Sequence, residues 1–155
     1  MIEVIRTERL ELRPLVADDA EELAELLEDP LVNEWLGPDL ADLRERFTRW
    51  ERRRSPDGSK EWLNWTARRL DDGAPVAWIQ ATVSGPAAEL AYAALPSQRR
   101  CGYTAEAVRA VADWLDATSL EAHIEASNKG SAAVARAIGL KPTDELHDGE
   151  VVWRN

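Results

Sequence analysis

Apolar positions recur with two different periods along this 155-residue chain, and each change of period marks a predicted element. Residues 9–13, RLELR, alternate leucine with charged residues, which predicts a half-buried strand ending at Pro14. Helical spacing follows in VADDAEELAELLEDP and predicts a helix that stops at Pro30. The stretch PDLADLRERFTRWERRR repeats that spacing, so it predicts a second, amphipathic helix.

Alternation with period two returns near residue 62. The segment around Leu63 and the runs VAWIQATV and ELAYAAL predict three strands, the last of which ends at Pro96. The remaining predicted elements are a helix over 104–115, a strand over 120–126, a short helix over 131–138 and a last strand in EVVWRN. This order predicts an α/β (α+β) fold, a mixed sheet flanked by helices, in one domain over residues 1–155.

Charge narrows the classes of partner. The chain has 19 Lys and Arg against 29 Asp and Glu, a formal charge of −10, which argues against a nucleic-acid-binding surface. An amine-bearing partner fits better, although the acidity could serve solubility alone. The seven tryptophans indicate a large core, a pocket with aromatic walls, or both.

Cysteine content and apolar runs bear on the cellular compartment. A single cysteine excludes an internal disulfide framework and leaves too few ligands for a cysteine-based zinc site, so no metal is expected. No secretory signal opens the sequence, and no apolar run approaches the roughly 18 residues of a membrane span. We therefore expect a soluble cytoplasmic protein that does not bind membranes, as a monomer or a homodimer.

The segment PSQRRCGYTAEAV is the strongest candidate for a binding site. A glycine before the first turn of a helix leaves free N–H groups that attract an anion, and Arg99 and Arg100 add charged donors. A purely structural turn is the alternative. The pattern Arg99-x-x-Gly102-x-Thr104 follows a predicted strand and opens a predicted helix.

Residues 87–107 resemble the acyl-CoA-binding core of the GNAT acetyltransferases, whose signature is Gln/Arg-x-x-Gly-x-Gly/Ala. The segments IRTERLELRPLVADDAEELAELLEDPLVNEWLG and IEASNKGSAAVARAIGLKP resemble the RimJ/RimL branch of that family, which acetylates protein N-termini and related amines. The sequence departs from the pattern twice. Arg100 stands where the branch usually has glycine, and Thr104 stands where the signature has glycine or alanine.

The resemblance implies a fold and an activity. The fold would be a mixed, mostly antiparallel central sheet of six to seven strands with a splay after strand 4, flanked by about four helices. The activity would be direct transfer of acetyl from acetyl-CoA, in a ternary complex, to a primary amine of a protein N-terminus or a small molecule. Alternatives are a longer acyl donor, or a GNAT-fold protein that binds CoA for regulation or has lost catalysis.

The resemblance also implies where the co-substrate binds. The pyrophosphate would lie on the amides of residues 99–104, the pantetheine arm would pair with the strand edge at 93–95, and Asn128 would bond a pantetheine amide. The predicted cofactor-binding residues are Ala93, Ala94, Leu95, Arg99, Arg100, Cys101, Gly102, Tyr103, Thr104 and Asn128.

The resemblance, together with the chemistry of acetyl transfer, implies two catalytic roles. The amine must lose a proton, so Glu89 is the predicted general base, and a backbone N–H near Ala94 would stabilise the oxyanion. Ser131 is the predicted acid for the thiolate, with Tyr92 and Tyr103 behind it. The alternatives are a solvated glutamate for Glu89 and helix capping for Ser131 and Asn128.

Other aromatic, cysteine and histidine residues have predicted positions or roles around this site. Trp35 and Tyr92 are predicted to contact the acceptor amine. Cys101 is expected near the phosphates, which argues against a covalent role. His123 is expected to be exposed or salt-bridged, and His147 falls in DELHDGE, which predicts a turn.

Overall fold

Strands and helices alternate along residues 2–155, which the computed structural model describes. The strands are β1 (Ile5–Arg6), β2 (Leu10–Pro14), β3 (Glu61–Arg69), β4 (Pro75–Ser84), β5 (Ala87–Ala94), β6 (Ser119–Ile124), β7 (Lys141–His147) and β8 (Glu150–Arg154). The helices are α1 (Asp19–Glu22), α2 (Pro30–Leu36), α3 (Leu40–Trp50), α4 (Tyr103–Leu115) and α5 (Lys129–Ala137), with short 3₁₀ segments at Ala24–Glu28 and Pro96–Gln98.

All eight strands join one sheet in the order β1-β2-β3-β4-β5-β6-β8-β7. Every neighbouring pair is antiparallel except β5 and β6, which helix α4 connects as a crossover. The predicted mixed, mostly antiparallel sheet is therefore confirmed. Its strand count exceeds the predicted six to seven because β1 and β7 also pair.

The one parallel pair opens along its length. Residues Ala87–Leu90 of β5 pair with residues 119–122 of β6. Beyond that point residues 91–94 stay paired with β4 on one edge but have no partner in β6, within the part of the chain that the structure describes. The predicted splay is confirmed, and β1 makes its strand the fifth in the sequence.

Side chains of β5 alternate between two cores. Leu90 and Tyr92 pack in the core beneath α4 and α5, whereas Ala91 and Ala93 pack against the core formed with the 3₁₀ segment, α2 and α3. Glu89 therefore shares the face of Ala91 and Ala93, as the alternation predicted.

The second of these cores ends at β5. Among residues 2–155 it includes no buried side chain from β6, β7 or β8. The corresponding face of β6 carries Glu121 and His123, while its other face buries Leu120, Ala122 and Ile124. This face of β6 is therefore polar where the apolar core ends.

Two predicted boundaries were wrong. Pro30 does not stop a helix but opens α2, because the missing N–H of proline suits the first helical position. The Asp29 carboxylate caps that helix by accepting the Leu31 N–H at 3.0 Å. The helix predicted before Pro30 breaks at Leu23 into α1 and a 3₁₀ segment.

The second wrong boundary concerns His147, which ends strand β7 instead of lying in a turn. The turn is Asp148-Gly149, with φ of 49° and 83°, a two-residue pair typical of tight hairpins. The strand escaped notice because KPTDELH is an exposed edge and lacks apolar alternation. No helix within residues 2–155 is long and apolar enough to cross a membrane.

Arg68 fastens helix α1 to the sheet. Its buried guanidinium donates to Glu22 at 2.8 Å and to Asp19 at 3.2 Å. Asp19 also accepts the Thr66 hydroxyl at 3.0 Å. The hydrogen bond from Arg68, with its positive charge, holds the pKa of Glu22 below its usual range.

Replacing Arg68 by methionine should lower the free energy of unfolding by about 3 kcal/mol, because the largely buried Asp19 carboxylate loses its cation. Urea unfolding measures this. Arg69→Met is the matched control, since Arg69 pairs only with the exposed Asp71 and Asp72 and should change stability little. Equal stability of the two variants would contradict an anchoring role for Arg68.

Candidate active site at the strand splay

Two adjoining cavities lie where β5 and β6 separate. We call the larger, of about 700 Å³, the basic cavity because Arg99, Arg100 and Lys129 line it. The smaller, of about 450 Å³, is the acidic cavity, and its carboxylates are Glu34, Glu89, Glu125, Asp148 and Glu150. Both are lined by Leu31, Val32, Tyr92, Ala93, Asn128 and Ser131.

The first turn of α4 faces the basic cavity with Tyr103, Thr104 and Ala105. No side chain caps this helix, and its first backbone hydrogen bond runs from the Glu106 N–H to the Gly102 carbonyl at 3.1 Å. The preceding N–H groups therefore have no intrahelical acceptor and can bind an anion.

Two residues of the loop before α4 have a left-handed backbone conformation. Gly102 has φ of 78° and Arg100 has φ of 64°. Glycine adopts this region freely, but a side chain is strained there. Arg100 makes no side-chain hydrogen bond or ion pair with any of residues 2–155, so its guanidinium is available to a ligand in the basic cavity.

Acidic residues before α2 hold the start of this loop. Glu25 accepts the Ser97 N–H at 2.7 Å and the Ser97 hydroxyl at 2.9 Å. Asp29 forms an ion pair with Arg99. Asp29 therefore partly neutralises the charge of Arg99. Arg100 and Lys129 are the less compensated cations of the cavity.

Arg9 braces the other side of the loop and was missed by the sequence reasoning. Its guanidinium donates to Glu106 at 2.7 Å and to the Cys101 carbonyl at 2.9 Å, and it lies 4.5 Å from the centre of the Tyr103 ring. Burial opposes ionisation of Glu106, but hydrogen bonds from Thr7 and Arg9 outweigh it and hold the pKa of Glu106 below its ordinary value. No local pattern links residues 97 positions apart.

Tyr92, Asn128 and Ser131 meet where the two cavities join. The Tyr92 hydroxyl donates to the Ser131 carbonyl at 2.7 Å, and burial raises the pKa of Tyr92 well above its ordinary value. The Asn128 side-chain carbonyl caps α5 by accepting the Ser131 N–H at 3.1 Å. The Ser131 hydroxyl stands at the same junction with no hydrogen-bond partner within residues 2–155.

Glu89 lies at the head of a chain of polar contacts in the acidic cavity. Its side chain is 45% exposed, and its carboxylate is 3.7 Å from Nδ1 of His123. The Nε2 of His123 is 2.6 Å from Glu121, whose carboxylate accepts from Arg154 at 2.8 Å. The salt-bridged interpretation of His123 agrees with these contacts, and the ring also lines the cavity.

Ligand atoms of Glu89, Glu121 and His123 lie within 4.8 Å of one another, a spacing that a metal ion could use. The contacts of Glu121 with Arg154 and His123 already account for that arrangement.

Two tryptophans supply part of the aromatic lining of the acidic cavity. Trp35 is 44% exposed and its ring lies 5.0 Å from that of Trp78, which stacks on Trp50 at 5.4 Å. Trp35 and Trp78 both line the acidic cavity. The predicted position of Trp35 near the acceptor is thus compatible with the geometry.

Most predicted site residues line one or both cavities, and two do not. Leu95 is buried in the core and its N–H bonds the Val76 carbonyl at 2.9 Å, so that N–H is unavailable to a ligand. Cys101 is exposed, and neither cavity includes it. Lys129 was missed, although it stands inside the quoted segment IEASNKGS and could have been read as a cation at a helix start.

The family model for the acetyltransferase (GNAT) domain matches residues 9–141. A comparison with curated proteins gives no match.

Solved structures resemble the whole fold. A Vibrio cholerae protein provisionally named a ribosomal-protein-serine acetyltransferase superposes with a TM-score of 0.76 at 22% identity, covering 99% of this chain and 97% of its own. An acetyltransferase from Agrobacterium tumefaciens gives 0.75 at 25% identity, covering 100% and 95%. The AAC(6′)-Ib structure with paromomycin and acetyl-CoA gives 0.72 at 21% identity, covering 95% and 92%.

Arg100→Gly should be more stable to urea than Arg100→Ala by about 1 kcal/mol, because both lack the guanidinium but only glycine relieves the left-handed strain. The entropy that glycine adds to the unfolded chain reduces the gain but does not cancel it. Equal unfolding free energies would mean that the loop tolerates a side chain at this φ without cost.

Proposed function

This chain belongs to the GNAT acetyltransferase family, whose domain model matches residues 9–141, and from that premise we propose that it transfers the acetyl group of acetyl-CoA to a primary amine. The acceptor is a protein N-terminus or a small-molecule amine. The observation that carries the proposal is the pair of adjoining cavities of opposite charge at the strand splay. The segments IRTERLELRPLVADDAEELAELLEDPLVNEWLG and IEASNKGSAAVARAIGLKP favour the RimJ/RimL branch.

The basic cavity suits the donor. Its unpaired N–H groups at the first turn of α4 and the cations Arg100 and Lys129 match a pyrophosphate. AAC(6′)-Ib, which shares this fold, holds acetyl-CoA in its structure, which supports the same donor here. The Thr104 hydroxyl can add one hydrogen-bond donor where the family signature has a smaller residue.

The open edge of β5 suits the pantetheine arm. Residues 91–94 present backbone groups towards the gap left by β6, so an amide-bearing chain can pair there as an added strand. The Asn128 amide N–H₂ remains available for a further hydrogen bond, because capping uses only its carbonyl. A backbone N–H near Ala94 would stabilise the oxyanion.

Glu89 takes the proton that the acceptor ammonium must lose before its nitrogen can attack. It lies in the acidic cavity on the face of Ala93, one of the residues that both cavities share. The Nδ1 atom of His123 lies 3.7 Å from the Glu89 carboxylate, and Glu121 holds the other nitrogen of the ring, so the imidazole offers an onward acceptor for the proton.

Ser131 donates a proton to the departing thiolate. As the amine nitrogen bonds to the thioester carbon, the carbon–sulfur bond breaks and the sulfur takes the Ser131 proton. The second proton of the amine nitrogen then passes to the Ser131 oxygen. Ser131 stands at the junction of the cavities, whereas the Tyr92 proton is committed to a backbone carbonyl. Serine is therefore the better acid in this arrangement.

Calorimetry with acetyl-CoA, followed by thiol release with a panel of amines, tests the proposal. Binding and amine-dependent thiol release are expected. Binding without thiol release would favour a CoA-binding protein without catalysis, and the absence of binding would contradict the donor site.

Glu89→Gln should lower kcat about 100-fold with little change in KM for acetyl-CoA, because the glutamine cannot take the proton. Steady-state thiol release across a range of pH measures it. Glu61→Gln, which neutralises a carboxylate of β3 that lines neither cavity, is the control. Full turnover of Glu89→Gln at every pH would remove Glu89 from the role of base.

A further inference from the structure

The acidic cavity contains more carboxylates than proton removal from the acceptor amine requires. Its lining includes five carboxylates, one histidine and, among residues 2–155, neither lysine nor arginine. A single base is enough to take the proton of the reacting amine. If Glu89 does that, four carboxylates remain without a role in the chemistry.

These carboxylates surround the cavity instead of lying on one side. Glu34 comes from α2, Glu125 follows the end of β6, and Asp148 and Glu150 come from the hairpin of β7 and β8. Elements that are far apart in the sequence therefore contribute negative side chains to the same cavity. Such a ring stabilises a ligand that carries several positive charges.

Local pairing leaves most of that charge uncompensated. Glu125 accepts the Ser127 N–H at 2.8 Å, and Asp148 lies 3.4 Å from Nε2 of His147. Glu34 and Glu150 have no hydrogen bond or ion pair with any described residue. Burial, together with the nearby charges of Glu89, Asp148 and Glu125, raises the pKa of Glu150, although the charge of His123 opposes this.

The shape of the cavity favours a slender aliphatic cation. A volume of about 450 Å³ is in the range of small-ligand sites. The rings of Trp35 and Trp78 offer apolar faces for methylene groups and for an ammonium above the ring. A peptide without charged side chains would bring only the positive charge of its N-terminus, together with several carbonyl groups that the carboxylates would repel.

We infer that the acceptor is a small diamine or polyamine, whose reacting amine faces Glu89 while at least one further ammonium binds Glu34, Asp148 or Glu150. The inference rests on the proposed function and gives its acceptor a chemical class.

Thiol release with acetyl-CoA should be compared for spermidine, putrescine, butylamine and a neutral tripeptide with a free N-terminus. Putrescine and butylamine share one carbon chain and differ by one ammonium. We expect kcat/KM for putrescine to exceed that for butylamine by about 10- to 100-fold at low salt, and the ratio to shrink at high salt.

Asp148→Asn and Glu150→Gln should each raise KM for putrescine several-fold more than they raise KM for butylamine, because only putrescine carries the second ammonium. Asp144→Asn is the matched control, because it removes one exposed carboxylate of β7 outside the cavity. Its kinetics should match those of the unmodified protein.

The failure of this inference is distinguishable from that of the proposed function. Equal kcat/KM for mono- and diamines, or a preference for the tripeptide, would overturn the polycation inference while amine-dependent thiol release upheld the proposed function. Acetyl-CoA binding without thiol release from any amine would overturn both.

Discussion

The divergence of β5 and β6 is the constraint on which the rest of the site depends. Parallel pairing lasts only from Ala87 to Leu90, and the strands then part. Sheet hydrogen bonding is lost along one edge, but the cores on both faces of β5 keep the strand in place. A rigid strand with an unpaired edge is thus built into the middle of the sheet, and both cavities open beside it.

Helix coverage of the sheet explains why the two cavities differ in charge. On one face α4 presents the N-terminal, electropositive end of its dipole beside Arg100 and Lys129. On the other, the helices α1 to α3 stop short of β6, so Glu121 and His123 stay polar beside Glu89. The gap between β5 and β6 is therefore bordered by a basic cavity and an acidic cavity that adjoin each other.

The sequence was enough to predict what depends on short-range pattern. Period-two alternation identified β5 and the face of Glu89, and the glycine before α4 located the basic loop. Contacts between distant segments could not be predicted from local pattern. The ion pairs of Arg9 with Glu106 and of Asp29 with Arg99 form only through tertiary packing. Strand β7 was missed because an exposed edge has no apolar signal, even though Asp148-Gly149 marks its hairpin.

The tryptophans around the acidic cavity have an optical consequence. Trp35 is half exposed at the cavity, and Trp78 and Trp50 lie behind it at ring separations of 5.0 and 5.4 Å. Indoles this close couple their excited states, so a change in solvent around the outer ring alters the emission of the group. Filling of the acidic cavity should therefore change the intrinsic tryptophan emission of the molecule, without any attached dye.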